Sequence, residues 1–474
     1  MISGRNQGGK LTDGKFMNPK VADQSVGDGN QFIRATGLAS LLLFASLFLT
    51  PKPAAKPAKK NPAPAARVDA LIVGGVDQYN GPMGSAEAFN ANSGTFSCVG
   101  GLNSAGGCNN VLSQPRFAAS VAPLPGGQVL VAGGNGVGVL CLNSAQVFNP
   151  ATGTFAAIGG MTDAHCFAHT TTVLSNGAVL ITGGEDQTGN LVNTADLYNP
   201  AIGAFGCSGL GGADSSTGYC ASTLTDARFL DTATLLANGQ VLIAGGSDSN
   251  GNIVNTAEIF DPNSGTFGCT SLGGANPKTR FCNNAMTDSR QNHTATLIAS
   301  GPKKGDVLIA GGIDAAGHVL QTAELFIPSS GTFVCSNGSA PGSSGCSLAL
   351  SQARYLHAAV LLDPRYSKGR YRGRILITGG EDANGDVLAT AEVYDPVAKT
   401  FSPVSSMTTS RALHSATLIA SGSHKGWVLI AGGINDSGNS LKSPELFNPQ
   451  TGTFVAVGAM NLARSSASSA GQVP

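Results

Sequence analysis

A Gly-Gly doublet that recurs seven times sets the tightest limit on how this chain can fold. In every copy an aromatic residue follows the second glycine after 14 residues, and a phenylalanine follows 7 residues later. The second glycines are Gly75, Gly134, Gly184, Gly246, Gly312, Gly380 and Gly433. The aromatic pairs are Phe89 and Phe96, Phe148 and Phe155, Tyr198 and Phe205, Phe260 and Phe267, Phe326 and Phe333, Tyr394 and Phe401, and Phe447 and Phe454. Such fixed spacing means that one supersecondary unit is built seven times.

Each copy has the pattern of short antiparallel strands. The fourth copy contains DTATLLA, QVLIAGG, NTAEIFDP and GTFGC, in which apolar or β-branched runs are bounded by Gly, Asn, Asp and Pro. We predict four strands per copy, with the first run innermost and GTF outermost. Four-stranded sheets that repeat and close radially form a β-propeller. The sequence therefore predicts an all-β, seven-bladed propeller.

The copies resemble kelch repeats, which combine Arg-x-x-His, a hydrophobic strand, Gly-Gly and two spaced aromatics. The resemblance covers about residues 67–470, although the second aromatic is Phe where kelch repeats usually carry Trp. The chain is also similar to the propeller of the galactose oxidase family. This resemblance implies a kelch-type propeller with four antiparallel strands per blade. The first copy starts at its second strand, and the tail ARSSASSAG aligns with innermost strands. We therefore predict that residues 463–470 complete blade one and close the ring.

The first 66 residues differ in composition from the repeats. We predict a polar leader at 1–34, a signal h-region or membrane anchor at 35–50, a Pro/Ala/Lys linker at 51–66 and the propeller at 67–474. Residues 35–50 are uncharged and lie between the usual lengths of a signal h-region and a membrane span. A cleaved signal and a retained anchor that associates with the membrane both stay open.

Ten cysteines predict five disulfides, because their number is even and their placement repeats. Four pairs bracket the loop that leaves an outermost strand: Cys98 and Cys108, Cys207 and Cys220, Cys269 and Cys282, and Cys335 and Cys346. The fifth pair, Cys141 and Cys166, would join the turn of blade two to the loop entering blade three. Disulfides persist in oxidising compartments. We therefore predict export to the extracellular space, the periplasm or the cell envelope.

Basic residues cluster in the predicted turns between the first and second strands of copies five, six and seven. The predicted binding residues are Lys303, Lys304, Arg365, Tyr366, Lys368, Arg370, Tyr371, Arg372, Arg374 and Lys425. Such a surface suits an acidic protein segment, an anionic glycan or a lipid headgroup, although soluble loops without a ligand explain the same pattern. The formal net charge of the whole chain is zero, so a nucleic-acid partner is not expected.

Histidines in the predicted innermost strands are the one candidate catalytic constellation. His169, His293, His357 and His414 occupy equivalent positions, which Asp231 takes in the fourth copy. Imidazoles that face a propeller axis can bind copper or zinc. The kelch resemblance instead implies a structural role, in which Arg290, Arg354 and Arg411, each three residues earlier, join Glu324, Glu392 and Glu445 in polar contacts within each blade.

Aspartates in turns such as SDSNGN and EDANGD leave calcium as a further alternative, but Asn-Gly is a hairpin-turn dipeptide. No cofactor is expected, with copper or calcium as the alternatives. The chain contains no Tyr-His dipeptide for a galactose-oxidase copper site, and no Gly-x-Ser-x-Gly, HExxH or P-loop motif. The predicted function is an exported, non-catalytic binding or scaffold propeller that recognises a protein or polysaccharide at the cell envelope. The alternative is a galactose-oxidase-like or other sugar-acting enzyme with a metal in the axial channel.

Overall fold

Seven antiparallel sheets of four strands follow one another along the chain, one for each Gly-Gly repeat. The computed structural model describes residues 67–138, 141–213, 220–277, 282–339 and 350–471. The predicted leader, apolar segment and linker, residues 1–66, lie outside the described residues. Within the described ranges, no helix is long and apolar enough to cross a membrane.

Equivalent strands take equivalent places in the seven sheets, which we call blades one to seven. The innermost strands are β32 (Ser468–Gly471), β5 (Ser120–Pro123), β10 (Thr170–Val173), β15 (Thr232–Leu235), β20 (Thr294–Leu297), β24 (Ala358–Leu361) and β28 (Ser415–Leu418). The second strands are β1 (Ala70–Val73), β6 (Val129–Ala132), β11 (Val179–Thr182), β16 (Val241–Ala244), β21 (Val307–Ala310), β25 (Ile375–Thr378) and β29 (Val428–Ala431). The third strands are β2 (Ala86–Asn90), β8 (Ala145–Asn149), β12 (Ala195–Asn199), β18 (Ala257–Asp261), β22 (Ala323–Ile327), β26 (Ala391–Asp395) and β30 (Glu445–Asn448). The outermost strands are β3 (Thr95–Cys98), β9 (Thr154–Ile158), β13 (Ala204–Gly206), β19 (Thr266–Gly268), β23 (Thr332–Cys335), β27 (Thr400–Pro403) and β31 (Thr453–Ala456).

Two short ribbons and one helical turn complete the described elements. These are β4 (Arg116–Phe117) paired with β7 (Asn135–Gly136), β14 (Arg228–Phe229) paired with β17 (Ser247–Asp248), and a 3-10 helix at Thr270–Leu272. The ribbons lie where the chain enters blades two and four, beside the Gly-Gly ends of the second strands.

The spacing of the paired aromatics follows from the hairpin between the third and fourth strands. In blade four, Phe260 and Phe267 are direct cross-strand partners, and their ring centroids lie 4.9 Å apart. The other six blades repeat this pair with centroid separations from 4.9 to 5.3 Å. Aromatic pairs in tilted geometry add about 0.5–1.5 kcal/mol beyond the area they bury. The repeated spacing in the sequence is therefore a packing requirement of each blade.

The last strand of the chain closes the ring. β32 pairs antiparallel with β1, so that Ser469 lies opposite Ile72. Arg464, just before β32, reaches Glu87 in the third strand of the same blade with an N–O distance of 2.9 Å. β32 also contacts the innermost strands on both sides, β5 and β28. The predictions of a seven-bladed propeller and of closure by the C-terminal tail are confirmed.

The hydrophobic core lies between the blades. Seven clusters of buried side chains each join two neighbouring blades. One cluster joins Leu242 and Ile259 of blade four to Ile309 and Phe326 of blade five. Because each blade buries both of its faces, the second strands are apolar at nearly every position. The blades thus form a packed frame that leaves the turns at both ends free to vary.

Candidate functional site

Buried arginine–glutamate pairs run through most blades close to the central channel. In blade five, Arg290 Nη2 lies 3.0 Å from Glu324 Oε1, and both side chains are buried. Equivalent pairs are Arg354 with Glu392, Arg411 with Glu445, Arg228 with Glu258 and Arg464 with Glu87. Blade three substitutes His165 and Asp196, 3.2 Å apart. The predicted blade-internal contacts of the three arginines are present, and each pair ties the loop entering a blade to its third strand.

The predicted channel histidines form hydrogen bonds across the boundary between blades. Each Nε2 forms a hydrogen bond with a hydroxyl group of the preceding blade, a contact that the sequence pattern alone does not predict. The pairs are His169 with Ser120 at 2.5 Å, His293 with Thr232 at 3.0 Å, His357 with Thr294 at 2.9 Å and His414 with Thr378 at 2.9 Å. These histidines therefore connect neighbouring blades, whereas the arginine side chains make their ion pairs within one blade.

The Gly-Gly doublets leave room for this contact. Gly311 has a φ of +64°, and a Cβ there would lie 2.5 Å from the carbonyl oxygen of Arg354 and 2.8 Å from Cε1 of His357. A side chain at this position would force the next blade outward. The doublet and the Arg-x-x-His pattern are thus two halves of one interface between blades.

Burial keeps the channel histidines neutral. It lowers the pKa of His169 to about 4 and the pKa of His357 to about 3. Neutral imidazoles can bind a metal, but no three of His169, Asp231, His293, His357 and His414 offer ligand atoms within 4.8 Å of one another. The structure places the five predicted metal ligands in one ring and does not bring them to a common point. Elsewhere in the described ranges, Glu87 lies that close to Cys98 and Cys108, whose sulfurs are joined in a disulfide.

Asp231 takes the histidine position in blade four without a hydrogen-bond partner. It is 8% exposed, and neither carboxyl oxygen has a partner among the described residues. In the preceding blade, Thr170 occupies the position from which a hydroxyl group would be expected to bond residue 231. Its hydroxyl group forms a hydrogen bond with Thr182 instead. Burial raises the pKa of Asp231 to about 7, against the opposing effect of Arg228. This carboxyl is therefore protonated in mildly acidic solution.

The turns of blades six and seven form a cleft on the face that carries the predicted basic surface. This basic cleft, of about 480 Å³, is lined by Arg365, Tyr366, Lys368, Lys425 and Trp427, together with the turn at 448–450. Two cations lie over the Tyr366 ring, with Lys425 Nζ 5.2 Å and Arg365 Cζ 5.3 Å from the ring centroid. Aromatic faces attract cations at such distances. The cleft therefore combines positive charge with two aromatic side chains.

A direct contact between turns holds the basic cleft together. Ser367 is buried, and its Oγ donates a 2.8 Å hydrogen bond to the carbonyl oxygen of Gly426 in the neighbouring blade. Two of the lining cations, Lys368 and Lys425, have no carboxylate within 4.0 Å in the described part of the chain. Arg365 is 75% exposed but pairs with Asp363 at 2.6 Å, and their hydrogen bond raises the pKa of Arg365.

The other predicted binding residues lie outside this cleft. Tyr371 is buried, and its ring packs against Phe447 and contacts Arg370 and Arg374. Two cations are neutralised by carboxylates, Arg374 by Asp395 at 2.6 Å and Lys303 by Asp306 at 3.4 Å. The remaining residues, Lys304 and Arg372, are exposed on the same face.

Trp427 and the 448–450 turn were missing from the predicted binding residues. Trp427 is the single tryptophan of the chain and lies just before β29. Its ring contacts the His424 ring edge-on, with the two ring centroids 4.8 Å apart. The sequence could have indicated the 448–450 turn as a binding candidate. In an up-and-down sheet, the turns between third and fourth strands lie on the same face as the turns between first and second strands. Only the packing of blade seven against blade six shows that both line one cleft.

The repeats match a known family pattern in two places. The Kelch motif matches residues 228–267, which span blade four from its channel arginine to its outermost phenylalanine, and residues 366–408 in blade six. This chain is a kelch-repeat β-propeller. No curated protein matches the chain significantly. Kelch propellers generally bind proteins, and the chain has the architecture of a protein-binding scaffold.

Four of the five predicted disulfides are present in the kelch propeller. They join Cys98 to Cys108, Cys141 to Cys166, Cys207 to Cys220 and Cys269 to Cys282. Cys335 is also disulfide-bonded, and Cys346, its predicted partner, lies outside the described residues. These bonds are compatible with an oxidising extracellular compartment.

The aspartates of the kelch turns are engaged by their own backbone. Asp248 Oδ1 accepts hydrogen bonds from the amides of Asn250 at 2.9 Å and Asn252 at 2.8 Å. Although burial would raise its pKa, these bonds lower the pKa of Asp248 overall. Asp186, Asp314 and Asp382 make the same pair of contacts. Turn formation accounts for the carboxylates at these positions.

Proposed function

We propose that this kelch propeller is an exported, non-catalytic scaffold at the cell envelope, and that its basic cleft binds an acidic segment of a partner protein. The observation that carries the proposal is the cleft itself, in which an exposed arginine and two lysines that have no carboxylate partner in the described part of the chain lie beside Tyr366 and Trp427. Carboxylates of a partner would pair with Lys368, Arg365 and Lys425. Aromatic side chains are favoured anchors at the centre of protein interfaces.

Export is supported by the disulfides and by the uncharged segment at residues 35–50. A Pro/Ala/Lys linker at 51–66 would then separate the propeller from the membrane or the processing site. Fractionation of cells that produce the full-length chain tests this part. Recovery of the oxidised protein outside the cytoplasm supports export, and an exclusively cytoplasmic, reduced protein contradicts it.

The single tryptophan allows a direct test of the basic cleft. We expect Trp427 fluorescence in the purified full-length chain to change saturably on titration with hexaglutamate and to stay constant with hexalysine. Binding should weaken as salt is raised, because the contacts are charged and exposed. The double variant Lys368→Ala/Lys425→Ala should bind about tenfold or more weakly.

The matched control is Lys442→Ala, which removes an exposed lysine from the opposite face and should leave the titration unchanged. A saturable signal with an oligogalacturonate but none with hexaglutamate would identify an anionic glycan as the ligand and overturn the proposal of a protein partner. Absence of any signal with both acidic probes would remove the cleft as a binding site.

A further inference from the structure

A second cavity lies on the opposite face, where blade seven meets blade one. This seam pocket has a volume of about 650 Å³, within the range of about 300–1,000 Å³ typical of small-molecule sites. Its walls come from the blade-one turn after Gly75, from the loop closed by the Cys98–Cys108 disulfide and the residues just after it, from blade seven and from the tail before β32. The pocket exists because the ring closes here with segments from the two ends of the propeller.

An exposed tyrosine stands at the edge of the seam pocket. Tyr79 is 81% exposed at the tip of the blade-one turn. The equivalent turn positions in blades three to seven carry Thr188, Asn250, Ala316, Asn384 and Ser437. The turn itself needs no aromatic, because Asp77 Oδ1 accepts the amides of Tyr79 and Gly81, both at 2.8 Å, as the aspartates of the other turns do. The aromatic ring is therefore a feature of the pocket and not of the fold.

Three amide side chains that line the seam pocket, Gln78, Asn110 and Asn461, have free hydrogen-bonding capacity among the described residues. Asn461 Nδ2 donates to Glu87 Oε2 at 2.9 Å, which orients the amide and leaves its Oδ1 available. The side chains of Gln78 and Asn110 form no hydrogen bond within the described residues, and both are exposed. An amide offers two donors and two acceptor lone pairs. The lining can therefore meet hydroxyl groups in either role.

The charge of the seam pocket is balanced. Asp77 and Lys442 are its one carboxylate and its one ammonium group. A strongly anionic or cationic ligand would meet a like charge here without a surplus of the opposite one. This distinguishes the pocket from the basic cleft and favours an uncharged ligand that is rich in hydroxyl groups.

We propose that the seam pocket binds a neutral oligosaccharide. The C–H face of one sugar ring would lie on Tyr79, while Gln78, Asn110 and Asn461 exchange hydrogen bonds with its hydroxyl groups. Tyrosine supplies an apolar face with a polar tip, which suits a sugar ring. The site is separate from the basic cleft and does not rest on the partner proposed for it.

The test is calorimetric titration of the full-length chain with cellotetraose, maltotetraose, mannotetraose and tetra-N-acetylchitotetraose. We expect at least one of them to bind with a Kd of about 1 mM or tighter, with little dependence on salt. Tyr79→Ala and Asn110→Ala should each weaken that binding about tenfold, while Tyr79→Phe keeps it. Both positions are exposed, so unchanged thermal unfolding of the variants will show that the fold is intact.

The control is Lys368→Ala/Lys425→Ala in the basic cleft, which should bind the same tetrasaccharide as the unmodified chain does. Lack of binding by all four tetrasaccharides at about 10 mM would overturn the proposal. So would an affinity that Tyr79→Ala and Asn110→Ala leave unchanged. Either result leaves the hexaglutamate titration of the basic cleft untouched, since that experiment uses another probe on another face.

Discussion

Replacing Asp231 by asparagine should make the propeller more stable at neutral pH. The buried carboxyl has no partner in the described structure, so its ionisation in the folded state costs free energy. The Asp231→Asn variant keeps the size of the side chain and removes the titration. The difference in unfolding free energy between the variant and the unmodified chain should therefore depend on pH.

The magnitude follows from the shift in pKa. The pKa of Asp231 rises from 3.8 to about 7 on folding, and one pKa unit corresponds to about 1.36 kcal/mol. Between pH 3.8 and about 7, Asp231 therefore holds a proton in the folded state that it has already lost in the unfolded state. Stability from this group is complete below pH 3.8 and is lost as pH rises to about 7. The advantage of the variant should grow by up to about 4 kcal/mol across this window and stay constant above it.

Urea unfolding at a series of pH values from about pH 4 to about pH 8 measures this difference. Titration of the channel histidines occurs in both proteins and cancels in the comparison. Asn238→Ala, in an exposed hairpin turn, is the control; it removes no titratable group and should give a difference that does not vary with pH. A difference for Asp231→Asn that is equally independent of pH would refute the reasoning, because the carboxyl would then ionise as easily in the folded as in the unfolded state.

Three further predictions concern the frame of the propeller. Glu445→Ala should lower the free energy of unfolding by about 3–5 kcal/mol, because it leaves Arg411 charged and buried without its carboxylate partner; chemical denaturation will show whether the loss is that large, and Glu445→Gln should lose less. Removing the Cys207–Cys220 bond, which closes a separation of 13 residues, by a double change to alanine should cost about 3 kcal/mol in the same assay; an unchanged midpoint would mean that this loop is equally restricted without the bond. Deleting the last strand, Ser468–Gly471, removes four residue pairs with β1, so we expect a loss of roughly 4 kcal/mol and association through the exposed edge in size-exclusion chromatography; a stable monomer would contradict closure by this strand.

Most of the fold was predictable because it repeats. The Gly-Gly doublets, the aromatics and the channel arginines make contacts within one repeat or with the next repeat. Because these residues recur along seven copies, their pattern can be distinguished from a chance coincidence. Closure was predictable for the same reason, since Arg464 and the residues after it align with the start of other innermost strands. The hydroxyl partners of the channel histidines were not predictable, because an alignment of the repeats does not show which residue of the neighbouring blade faces each histidine.

The candidate site was predictable only in part. Sequence placed Arg365, Tyr366, Lys368 and Lys425 on one face of adjacent blades, and the structure brings these four into one cleft. It did not show that Tyr371 is buried, because side-chain burial in a long turn depends on packing between blades. The substitution of His165 and Asp196 for an arginine–glutamate pair was hidden by an extra residue between His165 and His169 in the third copy.

The most direct measurement of the proposed function is photo-crosslinking in living cells that produce the full-length chain. A photoreactive phenylalanine analogue at Tyr366 should give a discrete adduct with an acidic protein, and Lys368→Ala/Lys425→Ala should abolish it. The same analogue at Ile202, which is 71% exposed on blade three, is the control and should give no such adduct. An adduct at Tyr366 that forms equally well without the two lysines, or no adduct beyond that at Ile202, would contradict recognition of an acidic partner by the basic cleft.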